Sequence, residues 1–143
     1  MSLEFVKLEI NHLKKLIVLP STGPVTPKTL EESYFSKGSI AYCLLDGTEP
    51  VFACGIVNLQ WGRGEVWIIP NEFFRNHQKT CLRIFRKMLP QVAKDHKFRR
   101  VQAVCAVDQP ETLFRHMGFE CEGTLKSFGP FGESCRMYAK VFE

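Results

Sequence analysis

Glu65-Val66-Trp67-Ile68-Ile69-Pro70, followed by the segment from Phe73 to Val92, is the stretch whose reading decides the fold. Val66 to Ile69 is an unbroken apolar run with β-branched members and a tryptophan, which suits a central strand, and Pro70 ends it because proline has no N–H for the ladder. From Phe73 onward the apolar residues fall at Phe74, Cys81, Leu82, Phe85, Met88, Leu89 and Val92. Steps of three and four of this kind make one buried stripe on a helix. A strand that feeds a helix aims several free backbone N–H groups at one point, where the helix dipole adds partial positive charge, and phosphates bind at such places. The turn itself, Arg75-Asn76-His77-Gln78-Lys79-Thr80, contains no glycine. A phosphate held there would meet side chains rather than bare backbone.

Working outward, the residues before this junction read as strands. Phe5 to Ile10 alternates polar and apolar from Val6 on and predicts a first strand. Asn11 is placed to cap a short helix through Leu19, with Leu13, Leu16 and Ile17 on one side. Pro20 to Pro27 is a breaker-rich loop, and Lys28 to Phe35 is a further short helix. Ile40–Leu45 and Val51–Leu59 are β-rich runs around Asp46-Gly47, a hairpin signal, and Trp61-Gly62-Arg63-Gly64 turns the chain into the strand at 65–69.

After the junction, Pro90 is expected to weaken or kink the last turns of the long helix. Arg100 to Ala106 reads as a buried strand. A strand, helix and strand in succession predict a right-handed crossover and a parallel pair. Asp108, Pro110 and Glu111 form a helix start, and Gly118 provides its left-handed stop. Phe119 opens the next strand, Gly123 to Gly132 is a hairpin loop, and Cys135 to Phe142 is the last strand. The order β-α-α-β-β-β-α-β-α-β-β predicts a mixed α+β fold, with about six or seven mostly antiparallel strands and about four helices.

Composition narrows the function classes. With 143 residues, 45% hydrophobic and 24% charged, the chain is expected to form a single domain over 1–143. A net charge of +4, with its basic residues dispersed, argues against nucleic acid as the main partner. Six cysteines without close pairs read as small core residues in a reducing compartment, and no metal site is expected. Neither a secretory leader nor a run of some 20 apolar residues is present, so the expected location is cytoplasmic.

The strand ending in Ile69-Pro70 before the main helix, with the later His116-Met117-Gly118-Phe119, resembles the GNAT (GCN5-related N-acetyltransferase) superfamily. The topological likeness covers nearly the whole chain, and the motif likeness residues 65–119. Within the superfamily, the run from Val51 and the ending Gly129-Pro130-Phe131-Gly132-Glu133 look most like small GNAT-like internal virion proteins of T7-like phages. The resemblance implies that the strand at 66–69 splays from its parallel neighbour and that backbone groups of Trp67, Ile68 and Ile69 hold the pantetheine of acetyl-CoA. Arg75, Asn76, His77, Gln78, Lys79 and Thr80 then stand at its pyrophosphate. Gln78 and Thr80 occupy slots where the family has small residues, so Arg75, His77 and Lys79 would supply charge instead. Phe114 stands where active members commonly carry the tyrosine that protonates the departing thiolate, and a phenyl ring donates no proton. The family's asparagine near the start of that helix is replaced by Val107 or Asp108.

Glu65 is the candidate general base, raised toward usefulness if desolvated beside Trp61 or Trp67; its other reading is a strand-edge glutamate. His77 and His116 lack an evident orienting partner, and Cys105 reads as core. Two functions follow from the resemblance. One is acetyl transfer from acetyl-CoA to a primary amine. The other is a catalytically degenerate phage protein with a structural or host-binding role, using aromatics at Trp61 and in the Phe128–Phe131 loop. The partners are an amine substrate in the first case and a protein in the second, with a monomer or a homodimer fitting either.

Overall fold

Strand β1 (Leu3–Lys7) runs antiparallel to β2 (Ile40–Asp46), and β2 antiparallel to β3 (Glu49–Asn58). In this computed structural model residues 2–16, 39–68, 72–107 and 111–142 are described. The hairpin expected at Asp46-Gly47 forms: Asp46 pairs with Glu49, and Gly47 takes φ +64°, a left-handed value that a side chain resists. Next to it the register passes from Leu44↔Phe52 to Leu45↔Pro50, leaving Val51 as the extra residue of a bulge. Pro50 lacks a ladder donor, and the bulge is where the sheet tolerates it.

The first helix, α1 (Ile10–Leu16), corrects the sequence reading at its start. The strand ends at Lys7 rather than Ile10, and Glu9, not Asn11, caps the helix. The Glu9 carbonyl accepts from the N–H groups of His12 and Leu13 at 3.0 and 3.3 Å, while His12 Nδ1 accepts the Glu9 N–H at 3.0 Å. Two orphan ends are thus satisfied reciprocally, with histidine in the role that glutamate takes in a capping box. The expected helix at Lys28–Phe35 lies outside the described residues, as do Ile17 to Leu19.

The chain divides into two compact units, residues 1–58 with 66–78 and residues 59–65 with 79–143. In the first, α1 turns Leu13 and Leu16 onto a core with Leu8, Ala41, Cys43, Ala53 and Trp67. Phe52 stacks on Phe74 of α2 (Glu72–Asn76) at 5.0 Å between ring centroids. Each fully buried Leu or Phe of this kind contributes about 1.5–3 kcal/mol.

In the second unit the start of β4 (Arg63–Ile68) runs parallel to β5 (Arg100–Ala106), as the crossover argument expects. Strand β5 is antiparallel to β7 (Cys135–Val141), and β7 to β6 (Glu120–Leu125). The strand order is β1-β2-β3-β4-β5-β7-β6, seven strands in a mostly antiparallel sheet with one parallel pair. Helix α3 (Gln78–Asp95) buries Cys81, Leu82, Leu89, Val92 and Ala93, and α4 (Glu111–His116) precedes β6. Four helices are seen among the described residues.

Two further expectations are corrected here. The helical pattern that starts near Phe73 is two helices, since His77 interrupts it: its N–H reaches the carbonyls of Phe73 and Phe74 at 3.0 and 3.2 Å, closing α2 before α3 begins. Pro90 lies inside α3, which runs on to Asp95; proline removes one donor there, and the turn beyond it is anchored by buried Val92 and Ala93. The hairpin expected from Gly123 starts later, at Lys126, because β6 continues past a bulge whose extra residue is Glu122, with Gly123 beside it at φ +151° and paired with Met137. The stop at Gly118 is as expected. Gly118 sits at φ +85°, its N–H bonds the Arg115 carbonyl at 2.9 Å, and the Phe119 N–H bonds the Phe114 carbonyl at 3.0 Å, the two bonds of a Schellman motif.

Candidate functional site

The strand at the centre of the sequence argument presents its residues in two ways. The Trp67 indole is packed in the core of the first unit and only 9% exposed, so what Trp67 offers to a ligand is backbone. Val66 is buried and Ile68 half-buried. Ile69 and Pro70 lie outside the described residues. The parallel ladder of β4 with β5 holds the pairs Arg63↔Arg100, Gly64↔Val101 and Glu65↔Gln102, while β4 continues to Ile68 and β5 to Ala106.

Glu65 is half-buried, and its Oε1 accepts a hydrogen bond from Gln102 Nε2 at 3.3 Å. The orientation of that amide is fixed from behind, since Gln102 Oε1 accepts from Arg100 Nε at 3.1 Å. Arg100 in turn forks onto both carboxylate oxygens of Glu122. The bidentate bond holds the Glu122 carboxyl below the usual range and raises the Arg100 guanidinium, the hydrogen bond being the larger cause in both. Glu65 is therefore the end of an ordered polar chain on the sheet. Trp61, expected as a possible apolar wall for it, is 78% exposed and carries the Arg63 guanidinium over its ring at 5.2 Å.

At the helix junction, Arg75, Asn76, Gln78 and Lys79 are exposed, and His77 and Thr80 are half-buried. His77 serves the turn: its ring stacks on Phe73 at 4.2 Å, and Nδ1 lies 3.0 Å from the Phe73 carbonyl, which only accepts, so Nδ1 carries the proton. Phe114 is 7% exposed and stacks on the fully buried Tyr138 at 4.6 Å, a core contact where the family resemblance puts an acid.

The residues that the sequence reading passed over are Arg83 and Arg86. Together with Lys79, Leu82 and His116 they line a cleft of about 290 Å³ in the second unit. Lys79, Arg83 and Arg86 sit at i, i+4 and i+7 along α3, so one face of the helix bears three cations. That spacing is legible in the sequence; it was masked by the even spread of basic residues along the chain. Arg86 Nη1 also donates to the His116 carbonyl at 3.3 Å, satisfying one of the carbonyls left open at the end of α4. Among the described residues no group of histidines, cysteines and carboxylates is arranged to hold a metal.

No protein-family model matches the sequence, and no curated protein matches it. Solved structures do. A structure assigned as a phosphinothricin N-acetyltransferase superposes with a TM-score of 0.81 at 16% identity, covering 99% of each chain. RimL, a ribosomal L7/L12 alpha-N-protein acetyltransferase in complex with coenzyme A, gives 0.80 at 18% identity over 98% of this chain and 94% of that one. A GNAT-family acetyltransferase from Streptococcus pneumoniae gives 0.74 at 14% identity over 99% and 100%. The fold is that of the GNAT N-acetyltransferases. At these identities the likeness concerns architecture, and the GNAT frame leaves the chemistry to the residues above.

Proposed function

We propose that this protein is a cytoplasmic N-acetyltransferase that moves the acetyl group of acetyl-CoA to a primary amine. The observation that carries the proposal is the cationic cleft on α3. A GNAT frame without the glycines of its phosphate turn needs another source of positive charge, and Lys79, Arg83 and Arg86 supply it along one helical face. Arg75 adds charge at the turn, while Asn76, Gln78 and Thr80 offer hydrogen bonds. The pantetheine would be held by backbone groups of Trp67 and Ile68, and by Ile69, which lies outside the described residues; backbone bonding of this kind tolerates side-chain change. Glu65, held in place through Gln102, takes the proton from the attacking amine. The nitrogen adds to the thioester carbonyl, and the C–S bond then breaks to release the CoA thiolate. With Phe114 in place of a phenol, that thiolate takes its proton from water.

Calorimetric titration with acetyl-CoA tests this. At a hundred-fold excess over the dissociation constant a native-state ligand stabilises by about 2.7 kcal/mol, so a thermal-shift assay reads the same event. The charge reversals Lys79→Glu and Arg83→Glu together are expected to weaken binding by at least about ten-fold, and to flatten its salt dependence. No binding at millimolar CoA refutes the proposal.

That negative result favours a second reading, a degenerate GNAT-like domain in a phage particle or against a host protein. Its support is the exposure of Phe131 at 95%, Trp61 at 78% and Phe128 at 57%. The Phe131 loop is held rigid: Glu133 accepts the Gly129 N–H on its carbonyl and the Phe131 N–H on Oε2, both at 2.9 Å. A preformed turn that presents an aromatic ring suits an interface anchor.

A further inference from the structure

A second cleft, of about 480 Å³, lies at the other end of α3 from the cationic face just described. Its floor is apolar, formed by Pro90, Ala93, Phe98 and Phe142, and its rim carries Lys94, Lys97 and Arg99, all three exposed. No carboxylate lines it among the described residues; Asp95, next to Lys94, accepts the Gln91 amide at 2.7 Å instead. Lys94 and Lys97 at a helix end also offset the helix dipole, but Arg99 lies beyond the helix, and the dipole does not account for it.

The frame under these cations is fixed by the backbone. Lys97 takes φ +58°, with the Phe98 N–H on the Ala93 carbonyl at 2.8 Å and the Lys97 N–H on the Lys94 carbonyl at 3.3 Å. The Arg99 N–H donates to the Gly62 carbonyl, and the Arg99 carbonyl accepts from Phe142, both at 2.8 Å. With the rim backbone already fixed, binding an anion orders only the side chains of Lys94, Lys97 and Arg99.

The aromatic geometry distinguishes between anionic partners. Single-stranded nucleic acid is held by open ring faces on which bases stack. Phe98 is only 5% exposed and packs against His96 at 6.2 Å, and Lys140 Nζ stands 5.5 Å over the Phe142 ring. Neither ring offers a platform to a base. Both offer apolar edges to a side chain.

We propose that this cleft docks an acidic polypeptide segment, with one apolar side chain seated on the Ala93, Phe98 and Phe142 floor and flanking carboxylates on Lys94, Lys97 and Arg99. The site is independent of the acetyltransferase reading. Under that reading it would draw acidic proteins to the enzyme; without it, it stands as a docking surface by itself.

The test is fluorescence anisotropy on the full chain, using a labelled peptide with one leucine flanked on both sides by glutamates, with and without saturating CoA. The wild type is expected to bind the peptide, more weakly as salt rises, and CoA is expected not to displace it. Replacing the glutamates by glutamine, or the leucine by alanine, should each lower the affinity. Lys94→Glu with Lys97→Glu should lower it at least about ten-fold, and Lys94→Gln with Lys97→Gln, a gentler change at exposed positions, should lower it less. Circular dichroism of both variants establishes that they are folded. Absence of binding overturns the proposal, as does an affinity indifferent to both variants, or displacement by CoA, which would assign the peptide to the Lys79 cleft. An oligothymidine strand of equal charge that binds as tightly, and loses its affinity in the same variants, assigns the cleft to nucleic acid instead.

Discussion

Replacing Gly55 by alanine tests the packing that sets the central strand. A Cβ built on Gly55 falls 2.4 Å from the Ile40 carbonyl oxygen and 2.6 and 2.7 Å from Nε1 and Cε2 of Trp67. Distances below 3.0 Å are not tolerated, so either the β2 backbone or the indole has to move. Neither moves cheaply. Ile40 is held in the β2–β3 ladder opposite Ile56, and Trp67 sits in the core of the first unit. Overpacking of this kind costs about 1–3 kcal/mol. Against it stands the roughly 0.4–1 kcal/mol gained when alanine restricts the unfolded chain. Taking the middle of each range, the overlap is the larger effect by about 1 kcal/mol, and a fall in Tm of some 2–5 °C is expected for a chain of this size.

The assay is thermal and urea unfolding followed by tryptophan emission. Trp61, at 78% exposure, would add a red-shifted background, so the measurement is cleanest in Trp61→Phe, which leaves Trp67 as the reporter. The double variant Gly55→Ala with Trp67→Phe provides the coupling, its unfolding and that of Trp67→Phe being followed by circular dichroism because both lack the Trp67 reporter. Removing the indole nitrogen side relieves two of the three overlaps but leaves the Ile40 carbonyl, so only part of the cost should return. A Gly55→Ala protein with an unchanged or higher Tm, or a cycle without coupling, refutes the reasoning. Because Trp67 moves with β4, Gly55→Ala should also weaken acetyl-CoA where the wild type binds it.

Burial pushes the Cys43 thiol up to about 12 and the Cys81 thiol up to about 11, from an ordinary 9.0. Thiol reagents on the native protein at pH 8 should therefore label exposed Cys121 first and reach Cys43 and Cys81 only on unfolding. Because these folded-state values lie above the unfolded one, their contribution is complete below pH 9 and declines as the pH rises toward 11 and 12; the urea midpoint should fall across that window. Glu122→Gln removes the fork to Arg100; with the Glu122 side chain 42% exposed, the stability lost is about 0.2–1 kcal/mol, absent at a pH low enough to protonate Glu122 in the wild type. Phe114→Ala removes a buried ring stacked on Tyr138 and should cost about 3–5 kcal/mol in chemical denaturation.

Much of the frame is legible in local chemistry. Asp46-Gly47 announces its hairpin because one residue must take a left-handed conformation, and Gly118 announces the end of α4 for the same reason. The apolar spacing of Cys81, Leu82, Leu89 and Val92 marks the buried stripe of α3. The edges of elements were misread where a distant or unusual partner decides them. His12 moves the start of α1 back to Ile10, and His77 breaks one expected helix into two by bonding the turn before it.

By itself, the sequence determined the alternation of strands and helices, the parallel pair around α3 and hence the GNAT resemblance, because periodicity and turn residues act over a few neighbours. Only the tertiary structure decided what the side chains of that frame do. It sends the Trp67 indole into the core, stacks Phe114 on Tyr138, and ties Glu65 through Gln102 and Arg100 to Glu122. It also gathers Lys79, Arg83 and Arg86 with His116 on one cleft, and Lys94, Lys97 and Arg99 on another. The physical reason is range: a turn or a helical stripe is set within a few residues, whereas a hydrogen-bond chain or a cleft exists only once residues far apart in the chain are packed side by side.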